Sequence, residues 1–192
     1  MAKLVLASSS KYRRALLARL GLPFEVAVPD IDESASPEET PDQLVTRLAE
    51  AKARVVADAA PDAIVIGSDQ VAVSDGAMLG KPGQRERAIA QLQDLSGRRV
   101  QFLTSVCVIG PEVEPLVEVD VSTVCFRSLT LGEITTYVDR ERPFDCAGSF
   151  KSEGLGIALF ESLGGDDPNA LIGLPLLRLC RMLRAVGLDP LS

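Results

Sequence analysis

The sequence predicts an α/β fold, and three observations carry that prediction. Short apolar runs alternate along the chain with amphipathic stretches of helical period. The run at 63–67, AIVIG, is apolar without interruption, as expected of a strand covered on both faces. The 192 residues, 46% of them apolar, suffice for one sizeable core, and no repeat, linker or low-complexity tract breaks them. Residues 1–192 therefore read as a single domain.

Residues 3–7 (KLVLA) form the first strand. Ser8, Ser9 and Ser10 supply hydroxyls suited to capping a helix, which runs over 11–20 and stops at Gly21. Residues 22–28 read as a second strand broken by Pro29, and 30–40 as an acidic loop. Thr40-Pro41-Asp42-Gln43 is a capping box with proline at the first helical position, opening a helix to about residue 59. The strand at 63–67 continues at 71–73 after Asp69-Gln70, and Asp75-Gly76 signals a hairpin turn. A helix at 84–95, long strands at 100–109 and 116–126, a helix at 131–140, a strand at 154–160 and a helix at 174–186 closed by Gly187 complete the series.

Composition narrows the chemistry. Twenty basic residues against twenty-seven acidic leave a net charge of −7, which argues against a duplex nucleic-acid binder. The chain has no histidine, so Ser-His-Asp and Cys-His schemes and every histidine metal ligand are excluded. Acid–base work falls to Asp, Glu, Lys or Tyr. The four cysteines, Cys107, Cys125, Cys146 and Cys180, form no C-x-x-C pair. Cys107 and Cys125 are out of register for simple antiparallel pairing across 110–115. The apolar run after Lys3 is too short for a signal segment, and no stretch approaches the ~18 residues of a membrane span. A reduced, cytoplasmic protein with buried thiols is the expectation.

Charged residues placed on apolar helix faces are the best clues to a site. At about 100° per residue, Leu16, Leu17 and Leu20 define one stripe of the first helix, and Arg13 falls within it. A guanidinium aimed inward needs an anion. With Ser8, Ser10 and the free amides of a helix start, it describes an oxyanion or phosphate pocket. The competing reading is a capped helix whose arginine snorkels to water. In the second helix Val45, Leu48, Val55 and Ala59 share an arc, with Lys52 near its middle, and here structural ion pairs are the competing reading. Asp69 follows the apolar strand at its carboxyl end, where open α/β sheets bind ligands. It is a candidate metal ligand or general base, against the ordinary turn aspartate. Glu33 could share a divalent cation with it, since Mg²⁺ takes one or two carboxylates plus substrate phosphates.

Two motifs fail. Gly76-x-x-x-Gly80-Lys81-Pro82 is one residue short of a phosphate-binding Walker loop and carries proline where Ser or Thr would hold Mg²⁺. Gly154-x-Gly156 lacks the third glycine of a dinucleotide fingerprint. Arg178, Arg181 and Arg184 read as a solvated helix face.

Ser8-x-Ser10-x-x-Arg13 after an N-terminal strand resembles the signature of the Maf-like nucleoside triphosphate pyrophosphatases. The resemblance continues through Asp32-Glu33, Leu48-Ala49-x-x-Lys52-Ala53, Gly67-Ser68-Asp69, Gly80-Lys81-Pro82, Ala147-Gly148-Ser149 and Gly173-Leu174-Pro175, and so covers nearly the whole chain. It implies a mixed twisted sheet flanked by helices, in two lobes with a central cleft, similar to the inosine triphosphatases. It also implies metal-dependent attack of water at an α-phosphate with release of pyrophosphate. Ser68-Asp69-Gln70 and the run Cys146 to Gly154 (CAGSFKSEG) look like the branch acting on 7-methyl-GTP, not the branch acting on dTTP and UTP. Tyr12 stands where that branch often carries tryptophan.

The resemblance then implies a role for each residue. Ser8, Ser10 and Arg13, with Lys52 and Lys81, would hold phosphates. Glu33 and Asp69 would hold Mg²⁺ or Mn²⁺, and Asp69 would take the proton of the attacking water. Tyr12 and Glu153 would recognise the positive charge of a methylated guanine, with Gln70 adding an amide contact. The expected partner is a small-molecule nucleotide, without nucleic acid or membrane, and a homodimer is allowed. Removal of abnormal nucleotides and a link to cell-division arrest follow from the same resemblance. The alternatives are a dTTP or UTP pyrophosphatase and a non-catalytic nucleotide-binding regulator of division.

Overall fold

The computed structural model describes residues 3–192. Its seven strands are β1 (Lys3–Ala7), β2 (Glu25–Ala27), β3 (Ala63–Ser74), β4 (Ala77–Leu79), β5 (Arg99–Ile109), β6 (Leu116–Phe126) and β7 (Phe160–Gly164). Its six α-helices are α1 (Lys11–Ala18), α2 (Pro41–Ala59), α3 (Arg85–Leu95), α4 (Leu131–Glu141), α5 (Pro168–Ile172) and α6 (Leu176–Ala185). The strands form one mixed sheet in the order β2-β1-β3-β5-β6-β7, with β4 on β3. β1 is parallel to both β2 and β3, whereas β3–β4 and β6–β7 are antiparallel.

The chain divides into two compact units. The first comprises the residues up to Asp69 with Thr104–Asp120 and Asp167–Ser192; the second comprises Gln70–Leu103 and Val121–Asp166. In the first unit the strand period of two sorts side chains onto two faces. Leu4, Leu6, Ile64, Ile66, Val106 and Val108 pack with Leu16 and Leu17 of α1 and Leu179, Met182 and Leu183 of α6. Val5, Ala7, Ala63, Val65 and Cys107 face the other way, onto Ala49, Ala53 and Val56 of α2. In the second unit Phe102, Phe126, Phe150 and Phe160 form a run of edge-to-face pairs with centroids 4.8–5.7 Å apart.

Several expectations need correcting. β3 does not pause at Asp69 but runs unbroken to Ser74. β1 pairs with it only as far as Ala7–Gly67, so Asp69 lies beyond the carboxyl end of β1, inside its own strand. Residues 155–159 form a 3-10 helix, and β7 begins only at Phe160. The second strand shortens to 25–27, and the last helix starts at Leu176 because Pro175 occupies its cap. α5 is a helix that the sequence reading lacks, although Asp167-Pro168 is a cap followed by proline at the first helical position. The buried arc of α2 is Leu44, Val45, Leu48, Ala49, Lys52, Ala53 and Val56, while Val55 and Ala59 are exposed. The arginine face of α6 is not merely solvated: Arg178 reaches Asp120 at 2.9 Å and Glu118 at 2.8 Å, and Arg181 also pairs with Glu118. All four cysteines are free, but only Cys107 is buried. Among the described residues no helix is long and apolar enough to cross a membrane.

Candidate active site

Gly67 fixes the geometry of the site. A Cβ on it would lie 2.1 Å from the Ala49 carbonyl oxygen and 2.9 Å from the Ala53 nitrogen, so α2 rests directly on β3 at this point. The pleat carries Asp69 to the same side as Gly67, toward α2, and Ser68 to the opposite side. Lys52 lies on the buried face of α2, only 5% exposed. Its Nζ donates to Asp69 Oδ1 at 2.7 Å and lies 2.7 Å from Glu33 Oε1. Lysine therefore sits between the two carboxylates proposed as metal ligands.

Glu33 comes from the acidic loop before α2, and Arg47 holds that loop. Arg47 donates to the Ser34 carbonyl at 3.0 Å and to both oxygens of Glu39, at 2.6 and 2.8 Å. The hydrogen bonds from Arg47 and from the Ser36 amide lower the Glu39 carboxyl to a pKa of about 2.

Arg13 behaves as the helical stripe requires. It is partly buried, and its Nε donates to the Gly173 carbonyl at 2.8 Å, while Nη1 lies 3.5 Å from Ser8 Oγ. Ser10 caps α1, accepting from the Arg13 amide at 3.3 Å. Ser8 accepts from the Ser10 amide at 3.2 Å, closing the turn between β1 and α1. Burial lowers the guanidinium pKa, and attraction to Asp69 and Glu33 opposes the shift. Ser68 donates to the same Gly173 carbonyl at 3.1 Å. This carbonyl is the contact that sequence reasoning missed. Gly173 holds a φ of 134°, which favours glycine.

The first unit thus brings together Ser8, Arg13, Glu33, Lys52 and Asp69. Tyr12 is partly buried, and the Lys11 ammonium lies 4.9 Å from its ring centroid, so the ring already faces a cation. Gln70, Lys81 and Glu153 belong to the second unit. Lys81 is exposed ahead of the buried Pro82, in a loop tied by the Gly83 amide to the Phe144 carbonyl at 3.0 Å. Glu153 is exposed on a turn held by the Tyr137 hydroxyl, which accepts from the Lys151 amide at 2.9 Å. Glu141 also holds this turn, accepting from the Leu155 amide at 3.1 Å.

The donor set suits a hard divalent cation. Two carboxylate oxygens, each 2.7 Å from one nitrogen, already converge on a single cationic position. Mg²⁺ and Mn²⁺ favour such oxygens and take phosphate oxygens as further ligands. Among the described residues no group of three or more Cys, Asp or Glu side chains gathers as a metal site, so protein ligation alone is sparse.

An α/β sheet with cations and carboxylates converging beyond the carboxyl end of β1 is the arrangement of a small-molecule phosphate-handling protein. The fold is shared with the Ham1 protein of Coxiella burnetii, at 18% identity and a TM-score of 0.53 over 96% of this chain and 100% of that one. The Ham1 protein of Staphylococcus aureus is similar at 19% identity and a TM-score of 0.50 over 80% and 89% of the two chains. The family described as Maf-like protein matches residues 3–186, and the chain belongs to it. A relative from Albidiferax ferrireducens, named 7-methyl-GTP pyrophosphatase, is 56% identical and covers 99% of this chain and 96% of its own. A relative of the same name from Chromohalobacter salexigens is 56% identical over 100% of both chains.

Proposed function

We propose that the protein hydrolyses 7-methyl-GTP to 7-methyl-GMP and diphosphate. The observation that carries this reading is the convergence of Arg13, Lys52, Glu33 and Asp69 in one unit of a chain 56% identical to full-length relatives of that name.

Arg13 and Lys52 supply positive charge for the phosphates, and Lys81 is a further candidate for that role. Asp69 accepts the proton of the water that attacks the α-phosphorus, and the bond to the β-phosphate bridging oxygen breaks as diphosphate leaves. Lys52, hydrogen-bonded to Asp69, orients that carboxylate. Glu33 and Asp69 would hold Mg²⁺ or Mn²⁺, which when bound offsets the negative charge of the phosphates. Tyr12 offers a ring face and Glu153 a carboxylate to the positive charge of the methylated base, and Gln70 an amide contact. A neutral pyrimidine offers neither group a charge to read.

The test is diphosphate release measured with 7-methyl-GTP, GTP, dTTP and UTP, with and without Mg²⁺ or Mn²⁺. The expected result is the highest kcat/KM on 7-methyl-GTP, with 7-methyl-GMP as co-product. Preference for dTTP or UTP would move the protein to the other branch, and binding without turnover would make it a regulator.

A further inference from the structure

We propose that Asp167 is a positioning residue for the phosphate-holding guanidinium of Arg13, acting through the Gly173 carbonyl. All the groups involved belong to the first unit, and the inference rests on the phosphate role assigned to Arg13 above.

Asp167 is a charged residue with 1% of its surface exposed. A carboxylate so placed must be hydrogen-bonded, and this one spans two helices. Oδ1 accepts from the Asn169 amide at 2.9 Å and from the Asn169 side chain at 2.7 Å, capping α5. Oδ2 accepts from the Leu177 amide at 2.7 Å, in the first turn of α6. That helix has Pro175 at its cap and no side-chain cap of its own, so Asp167 fills the role. One buried carboxylate therefore fixes the starts of both helices.

Gly173 lies in the connection that this clamp closes. The Gly173 and Leu174 amides both donate to the Asn169 carbonyl, at 3.1 and 3.2 Å. The Gly173 carbonyl points away from these bonds and accepts from Arg13 Nε at 2.8 Å and Ser68 Oγ at 3.1 Å. With Nε anchored on that carbonyl, Nη1 of the planar guanidinium lies 3.5 Å from Ser8 Oγ. Thr104 Oγ1 donates to the Ala170 carbonyl at 2.9 Å and ties α5 to β5 from beneath. The clamp determines where the carbonyl stands, and the carbonyl determines how Arg13 is aimed. Misplacing a substrate-positioning group by about 1 Å reduces rate by about 100-fold.

The test is a double-mutant cycle, with kcat/KM measured below the melting temperature of each folded variant. Asp167→Ser keeps a short cap for α5 but cannot span to α6. Asp167→Asn keeps the shape and loses one acceptor, and it decides the matter should the serine variant fail to fold. Arg13→Lys keeps the charge and lacks the Nε anchor. The expected result is a loss of about 10- to 100-fold for the Asp167 variant with Arg13 present, carried mainly by KM, and of less than about threefold with Lys at 13. Equal losses in both backgrounds would make Asp167 a scaffold residue only and overturn the proposal, as would wild-type activity in the single variants. Wild-type kcat/KM in Arg13→Lys and in Arg13→Ala would overturn the phosphate role of Arg13 itself, and the relay with it.

Discussion

Lys52 and Asp69 meet at 2.7 Å because Gly67, two residues before the aspartate, lets α2 lie against β3. The contact joins the inward face of a helix to the interior of a strand 17 residues later. It changes what each residue means. Lys52 is an inward cation that two carboxylates already hold in place. Asp69 is not a turn residue but a strand residue with a defined partner.

Replacing Asp69 with Asn should reduce kcat by about 100- to 10,000-fold, because an amide cannot take the proton. Lys52 keeps Glu33 as a partner, so the fold should persist and circular dichroism should show a native spectrum. Near-normal turnover in the folded variant would remove Asp69 from the chemistry.

Lys52→Ala should both lower activity and lower the melting temperature. Loss of one partner leaves the nearly buried Asp69 charge uncompensated, and such losses cost about 3–5 kcal/mol at fully buried sites. The open side occupied by exposed Glu33 should keep the figure at or below that range. A variant as stable as the parent would mean that the ion pair contributes nothing to folding.

Gly67→Ala should be among the most damaging small changes in the chain. The new methyl would need to sit 2.1 Å from a backbone oxygen, so α2 must move away from β3 and carry Lys52 from Asp69. A destabilisation of about 1–3 kcal/mol or more is expected in urea unfolding, with a parallel drop in kcat/KM. Parental values of both would contradict the close approach of α2 to β3 at Gly67.

Selectivity should respond to Glu153→Gln and Tyr12→Ala. Each should reduce the kcat/KM ratio of 7-methyl-GTP over GTP by roughly five- to thirtyfold, while Tyr12→Trp should preserve or raise it. Parallel losses on the two nucleotides would show that the base charge is not being read.

Thiol reactivity should divide by environment. Burial raises the Cys107 thiol to a pKa of about 12, whereas hydrogen bonds from Ser162 and Arg99 lower that of Cys125. In native protein at pH 8, iodoacetamide should label Cys125 first and leave Cys107 unmodified, as read by peptide mass spectrometry. Because the folded-state value of Cys107 is raised, its contribution to stability is present below the ordinary thiol range. It is lost as pH rises from about 9 through about 12. Early labelling of Cys107 would contradict its burial.

Features that depend on near neighbours were legible in the sequence. The Thr40 capping box, the inward placement of Arg13 and Lys52, the two-faced strand at 63–67 and the Asp75-Gly76 turn are all set within a few residues. Helical and strand periods act at that range, so composition and spacing suffice to read them. The continuation of this strand at 71–73 was legible, but its unbroken course through Asp69-Gln70 was not, because a strand ends where its pairing ends and pairing is a tertiary matter. The 3-10 helix at 155–159 was misread for the related reason that a short apolar run suits a strand or a buried turn equally. Tertiary structure alone decided that Arg13 would find the carbonyl of Gly173, 160 residues away, and that Ser68 would share it. It also decided that Arg178 would leave the solvent for Asp120 and Glu118. A side chain's direction follows from its local period, but its partner is set by which segments the packed sheet brings alongside.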